Sequence, residues 1–377
     1  MISVARTAAS LTPRTIAARR LANQHLIGPR LATPLEVVRK LGAVQSQDYA
    51  GGKWGIGQRT RSSTDADVES ALTAGTIVRT HVLRPTWHFV AAEDIRWMLE
   101  LTGPRVRARM APYDRHLELD EKVFARCAAA ITSALDREKE LTRGEIRAVL
   151  DRARIGTTGT QRLAHIMMRA ELDGVVCSGV RKGKQSTYAL LEDRLPPARV
   201  MNPDESLAEL ARRYFSTRGP ATVQDFAWWS GLTASESRRG IEAVRSDFDN
   251  RVVEGKTYWF TGSAPARRLV GNAAHLLPNY DEFFIGLKDR SAMAGLVKAP
   301  VMGVWGGTSV TNVVVIEGQL VGGWSPAVTT RGAALQVRLA VKLNSTQLHA
   351  IEKQVKRYAE FSGMPAEVRI SALTKKR

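Results

Sequence analysis

Apolar residues along the chain recur with helical spacing in long stretches. These are punctuated by short β-type runs bounded by Gly and polar turn residues. The clearest stretch is 141–193. Thr142 followed by Glu145 three residues on predicts a capped helix running to about Arg154. A second helix over 160–173 carries Leu163, Ile166, Met167 and Ala170 on one face and is stopped by Gly174. A hairpin comes next: 175–178, a polar tip at Arg181, Lys182, Gly183, Lys184 and Gln185, then 186–190. Two helices and a hairpin make the plan of a winged helix, with the second helix expected in a groove and the wing on phosphate.

The plan recurs over 205–260. A helix over 207–215 is followed by helices capped by Thr222 and Thr233, the first of them containing Phe226, Trp228 and Trp229, and then by strands on either side of Glu254-Gly255-Lys256. Residues 14–90 show it more loosely, with helices over 15–26, 34–44 and 66–74, strands over 77–83 and 87–90, and a further helix over 91–101. Strands over 310–317, 320–324 and 337–343 and an amphipathic helix over 346–361 close the chain. The expected fold is mainly α with β-hairpin wings (α+β): three tandem winged-helix units, at 14–110, 111–200 and 201–267, and an α+β module over 268–377 that ends in a frayed tail at Lys375, Lys376 and Arg377.

Composition adds a partner. The 377 residues carry a formal charge of +18, and 44% are hydrophobic, ample for several packed modules. Such a field favours a polyanion, because each Lys or Arg that neutralises a phosphate releases counterions; an Arg-rich proteome is the plain alternative. Cys127 and Cys177 lack metal-ligand spacing and read as reduced, buried hydrophobes. No signal segment, spanning run, zinc spacing or cofactor fingerprint is read, so a cytoplasmic, nucleoid-associated protein without metal or cofactor is expected.

The candidate chemistry sits in Gly42-Ala43-Val44-Gln45-Ser46-Gln47-Asp48-Tyr49, expected at the end of the 34–44 helix. Two neutral amides one residue apart can hold a water without ionising anything. Read alone, they are better taken as a pair of solvated or backbone-capping amides. Asp48 is either a carboxylate beside them or a cap for the chain after the helix.

This segment, with Arg79-Thr80-His81-Val82-Leu83-Arg84-Pro85-Thr86-Trp87-His88-Phe89 and Leu276-Leu277-Pro278-Asn279-Tyr280-Asp281, resembles the winged-helix family that contains the AlkZ-like and YcaQ-like DNA glycosylases. The resemblance covers nearly the whole chain. It implies three winged-helix motifs around a concave DNA channel and excision of bulky or crosslinked N7-alkylated purines. The family signature is Gln-aliphatic-Gln in the AlkZ-like branch; here it is Gln45-Ser46-Gln47, with Ser46 departing at a position expected to face packing. The resemblance makes Gln45 and Gln47 the catalytic pair of a monofunctional glycosylase. They would orient water at the anomeric carbon while a cationic base leaves.

Asp48, His81 and His88 are supporting candidates, each histidine having a satisfied structural role as its alternative. Trp54 and Trp87 could stack on a base or pack in the core. Arg79, Arg84, Arg181, Lys182 and Lys184 are candidate DNA contacts, with ion pairs or a solvated turn as the alternatives. Asp281 and Glu282 read as structural. The expected partner is damaged double-stranded DNA, bound by a monomer and away from membranes. The rival reading is a non-enzymatic winged-helix binder, a regulator or nucleoid-associated protein.

Overall fold

The structure is a computed structural model. It describes residues 11–159, 161–196, 201–262, 273–294, 296–297, 312–329 and 332–372. The module boundary at 268 and the tail at 375–377 lie outside them.

Helix α1 (Pro13–Asn23) is followed by α2 (Pro34–Leu41), β1 (Ala43–Gln45), α3 (Tyr49–Gly57), α4 (Asp65–Thr73), β2 (Ile77–Val82) and β3 (Arg84–Ala91), and then by the long α5 (Ile95–His116). Next come α6 (Glu121–Glu138), β4 (Leu141–Thr142), α7 (Arg143–Arg152), α8 (Arg162–Leu172), β5 (Val176–Ser178), β6 (Thr187–Leu190) and the short α9 (Leu191–Arg194). A third group holds α10 (Pro203–Arg218), α11 (Val223–Ser230), α12 (Ala234–Ala243), β7 (Asp249–Val253) and β8 (Lys256–Phe260). The chain closes with β9 (Ala274–Leu277), α13 (Glu282–Ile285), β10 (Asn312–Ile316), β11 (Gln319–Thr329), β12 (Gly332–Leu339), α14 (Ser345–Ser362) and β13 (Ala366–Ala372).

One connectivity repeats. Helix, strand, two helices and a hairpin give the sheet orders β1-β3-β2 and β4-β6-β5, with the first strand beside the last in each. In the third group Ala221 takes that first-strand place as an isolated bridge to Trp259 of β8. Local chemistry sets the helix starts: Thr142, Thr222 and Thr233 each form a reciprocal capping box with the acid three residues on. The last strands form one sheet ordered β13-β12-β11-β10-β9, with β12 and β13 parallel.

The cores are shared unevenly. Residues between Leu119 and Leu190 enclose a cluster of their own. The first sheet instead splits its faces: Val78, Val82 and Val90 join a core with Tyr214, Phe226 and Trp229, while Val44, Ile77 and Phe89 join one with Leu276, Leu335 and Ile351. The first sheet therefore lies between the third group and the C-terminal sheet.

Four expectations are corrected. The 34–44 helix ends at Leu41, where Gly42 takes φ +79° and the chain turns into β1. Helix α3 stands where the sequence predicts no element. Helix α5 runs well past Leu101 despite Pro104 and Pro112. No residue of α8 is exposed, because it packs against β2 and α5, so it has no free face to enter a groove. Among the described residues no helix is long and apolar enough to cross a membrane.

Candidate active site

Gln45 ends β1, an edge strand, paired across to His88 of β3. An edge leaves outward N–H groups without a ladder partner. Here a carboxylate from the far end of the chain captures one: Gln45 N–H donates to Glu282 Oε1 at 2.9 Å. The other oxygen of Glu282 accepts from Arg218 Nη2 at 2.5 Å and from Trp229 Nε1 at 2.9 Å. Arg218 also donates to the carbonyls of Leu41 (2.9 Å) and Ala43 (3.3 Å) and lies over the Trp229 ring at 4.2 Å. Glu282 and Arg218 have fully buried side chains. Charge-assisted bonds in a dry setting thus tie α10, α11 and α13 to the strand that carries Gln45.

The side chain of Gln45 is fixed as well. Arg84 Nη2 donates to its Oε1 at 2.9 Å. The β2–β3 turn aims Arg84, because Leu83 holds a left-handed φ of +64° and gives its N–H to Thr102 Oγ1 at 3.1 Å. Burial lowers the Arg84 pKa to about 10, so the guanidinium stays charged at neutral pH.

Gln47 contrasts with it: exposed, it makes no hydrogen bond to any described residue. Between the pair, Ser46 N–H donates to Trp87 O at 2.8 Å, and Ser46 O accepts from Arg79 Nε (3.2 Å) and Nη2 (2.9 Å). The Ser46 hydroxyl is fully buried without a partner among the described residues. An unpaired buried hydroxyl is unfavourable, so Ser46→Ala is expected to hold or raise stability by up to about 1 kcal/mol. Urea denaturation checks this; a comparable loss contradicts it.

Asp48 caps α3, its Oδ1 accepting from Gly51 N–H at 3.0 Å. The histidines face inward. His81 Nδ1 pairs with Glu171 Oε2, which also accepts the His81 N–H, and the ring lies 4.6 Å from Trp87. His88 has no exposure and bonds Thr86 O through Nδ1 at 2.9 Å. Burial, and next the Arg84 charge, hold its pKa well below the usual value, so it is neutral.

Of the basic candidates, Arg79 lies 4.3 Å over the Trp87 ring and Arg181 4.8 Å over Tyr49. Arg181 also donates to Lys184 O, and Lys182 Nζ reaches Glu140 O at 3.1 Å. Lys182 and Lys184 are exposed at the hairpin tip. The structure thus turns Arg79 and Arg84 inward and leaves the lysines outward. Trp54 is core, donating to Leu276 O at 2.7 Å. Asp281 accepts from both terminal nitrogens of Arg59, at 2.8 and 2.9 Å. Sequence reasoning gave Arg218 and Glu171 no part and placed Trp229 only as a helix residue; tryptophan or charge on otherwise apolar helix faces is the local signal they give.

On the face of β3 away from Gln45, Tyr49, Arg79, Trp87, Glu171, Arg181 and Tyr188 line a cleft of about 30 Å³, room for a water or two. Among the described residues no group of three or more His, Cys, Asp or Glu side chains could hold a metal ion.

The solved structure of Streptomyces sahachiroi DNA glycosylase AlkZ superposes with a TM-score of 0.78 over 96% of this chain and 100% of that one. Sequence identity is 21%, so the likeness speaks for the mixed helix and sheet fold. No curated protein matches in sequence. The family model described as DNA glycosylase AlkZ-like matches residues 38–361, which include β1, Arg84, Arg218 and Glu282. The chain therefore belongs to the AlkZ-like DNA glycosylase family, as an enzyme that hydrolyses N-glycosyl bonds.

Proposed function

We propose that the protein is a monofunctional DNA glycosylase that removes bulky or crosslinked N7-alkylated purines, using water positioned by Gln45 and Gln47. One observation carries this reading: Gln45 is fixed through both backbone and side chain, while Gln47, two residues on, presents a free amide to solvent. A fixed amide beside a free one suits a water site whose walls never ionise. An N7-alkylpurine is already cationic, so its departure needs little general acid. The remaining task is to hold water at the anomeric carbon and shield the developing sugar cation, which is positioning and electrostatics.

We read the three repeated groups as winged-helix units around a concave DNA channel, within the division 14–110, 111–200, 201–267 and 268–377. The repeated strand order and the charge of +18 support this. Lys182 and Lys184 at the second wing tip would meet phosphate. An open channel suits adducts that resist full flipping into a closed pocket. Hydrolysis without strand cleavage is expected, since the buried amine of the helix that follows the pair is engaged: Lys53 Nζ is held by Asp65 and Glu69 at 2.8 Å each and is no free nucleophile. Several DNA-facing units in one chain also remove the need for a dimer.

The test is a duplex panel with N7-methylguanine, a bulky N7-guanine adduct, an N7 crosslink or no lesion, scored for abasic sites. The expected result is excision from the bulky and crosslinked duplexes, with strand breaks only after alkali. Binding to every duplex with no excision from any would leave the non-enzymatic binder in its place.

A further inference from the structure

The two glutamines sit in different electrostatic surroundings, and the difference fixes what each can offer a water molecule. A guanidinium has only donors. The Gln45 atom that Arg84 Nη2 meets at 2.9 Å is therefore the amide oxygen, which settles the orientation of that amide. The NH2 group of Gln45 then points the other way. Its oxygen, beside a buried positive charge, is a poor place to stabilise a second cation. The charge is not cancelled locally. Glu282, the carboxylate bound to Gln45 N–H, is already paired with Arg218, and Arg84 Nε has no partner among the described residues. Gln47 has no such neighbour: its amide is exposed and free to turn its oxygen toward a proton or a developing cation.

We propose that Arg84 is a positioning residue that makes Gln45 a hydrogen-bond donor only, leaving Gln47 as the acceptor that holds the proton of the attacking water. This rests on the glycosylase reading and divides the labour within its catalytic pair. In the step, the bond from the anomeric carbon to purine N9 breaks, and its electron pair neutralises the cationic base. One lone pair of the water oxygen forms the new bond to the anomeric carbon, while the other accepts from Gln45 Nε2. A water hydrogen lies on Gln47 Oε1, and the released proton passes from there to bulk solvent, to which Gln47 is open. An inverted Gln45 would set its NH2 group against the Arg84 guanidinium, donor against donor, and its carbonyl against the water.

The experiment uses the whole chain on a duplex carrying the bulky N7-guanine adduct. It measures single-turnover excision at saturating enzyme and duplex affinity separately. Arg84→Met is expected to lower the excision rate about tenfold or more while affinity stays within about twofold. Arg84→Lys, which keeps one donor for Gln45, recovers part of that rate. Gln45→Glu, which replaces the donor with oxygen, falls as far as Gln45→Ala. Gln47→Glu, which keeps an acceptor, excises about tenfold faster than Gln47→Ala. Gln47 is exposed, so its variants do not depend on refolding a core, and thermal melts report on the others.

Two results overturn the inference while leaving the glycosylase reading intact. In one, Arg84→Met weakens duplex binding with an unchanged rate at saturation, making Arg84 a phosphate contact. In the other, Gln45→Glu retains the higher rate and Gln47→Glu does not, reversing the roles. Wild-type protein inactive on every lesion overturns both, and shows before any variant is made.

Discussion

Glu282→Ala lowers the unfolding free energy by about 3–5 kcal/mol, because removing one partner of a buried ion pair strands the other charge without water. Arg218 would be left fully buried with only neutral partners, the Leu41 and Ala43 carbonyls, the Thr217 hydroxyl and the Trp229 ring, and the Gln45 and Trp229 N–H groups would lose their acceptor. The damage reaches the site as well as the fold, since Glu282 holds the backbone of the strand that ends in Gln45. Denaturant unfolding measures the first effect. Excision by the fraction still folded measures the second, expected to fall together with it. Replacing both charges, as in Glu282→Leu with Arg218→Met, should restore much of the stability and little of the excision. A loss below about 1 kcal/mol for Glu282→Ala would mean that the clamp is not what organises this edge.

Acid is expected to destabilise the protein well above the pH at which carboxylates titrate. His275 on β9 is buried, neither ring nitrogen has a partner among the described residues, and burial with nearby arginines lowers its pKa to about 3. His88 is shifted the same way. A histidine held neutral in the fold but free to protonate when unfolded contributes fully above the unfolded value of about 6.5. That contribution shrinks as pH falls from there toward the folded value, by up to about 1.4 kcal/mol per pH unit for each such group. Between pH 7 and pH 5 His275 alone should remove about 2 kcal/mol, and His88 adds to the loss in the same direction. Urea midpoints across that range check it, and His275→Leu should make the slope shallower. A flat profile from pH 7 to pH 5 would contradict the burial of both rings.

Local chemistry is legible in the sequence and long-range capture is not. The three Thr capping boxes, the stop at Gly174 and the hairpin tips are decided within a few residues, and all can be read there. Helix α3 cannot, because Tyr49-Ala-Gly-Gly-Lys-Trp-Gly-Ile-Gly57 carries four glycines against helix propensity. Their reason is tertiary: a Cβ at Gly57 would come within 2.4 Å of the Phe361 ring, and one at Gly52 within 3.0 Å of Phe89. Strand β1 lies where the apolar pattern extends the preceding helix, although Gly42, after Arg39 and Lys40 in a last turn, carries the usual stop signal.

The candidate site divides the same way. Gln45 and Gln47 stand out by their spacing and family likeness. The groups that hold Gln45 do not: Arg84 reads as a candidate for phosphate, and Glu282 lies 237 residues away. Asp281 and Glu282 are architectural, as expected, but nothing in their sequence says that one of them is bonded to the strand bearing Gln45. Ser46, the departure from the family signature, faces packing as expected.

In the proposed reaction Gln45 and Gln47 carry hydrolysis rather than DNA binding. Single-turnover excision of a bulky N7-guanine adduct, measured beside duplex affinity for the wild type, Gln45→Ala and Gln47→Ala, tests it most directly. Rates are expected to fall about a hundredfold in each variant, with affinity within about twofold of wild type. Normal excision at saturation by variants that merely bind more weakly would contradict it.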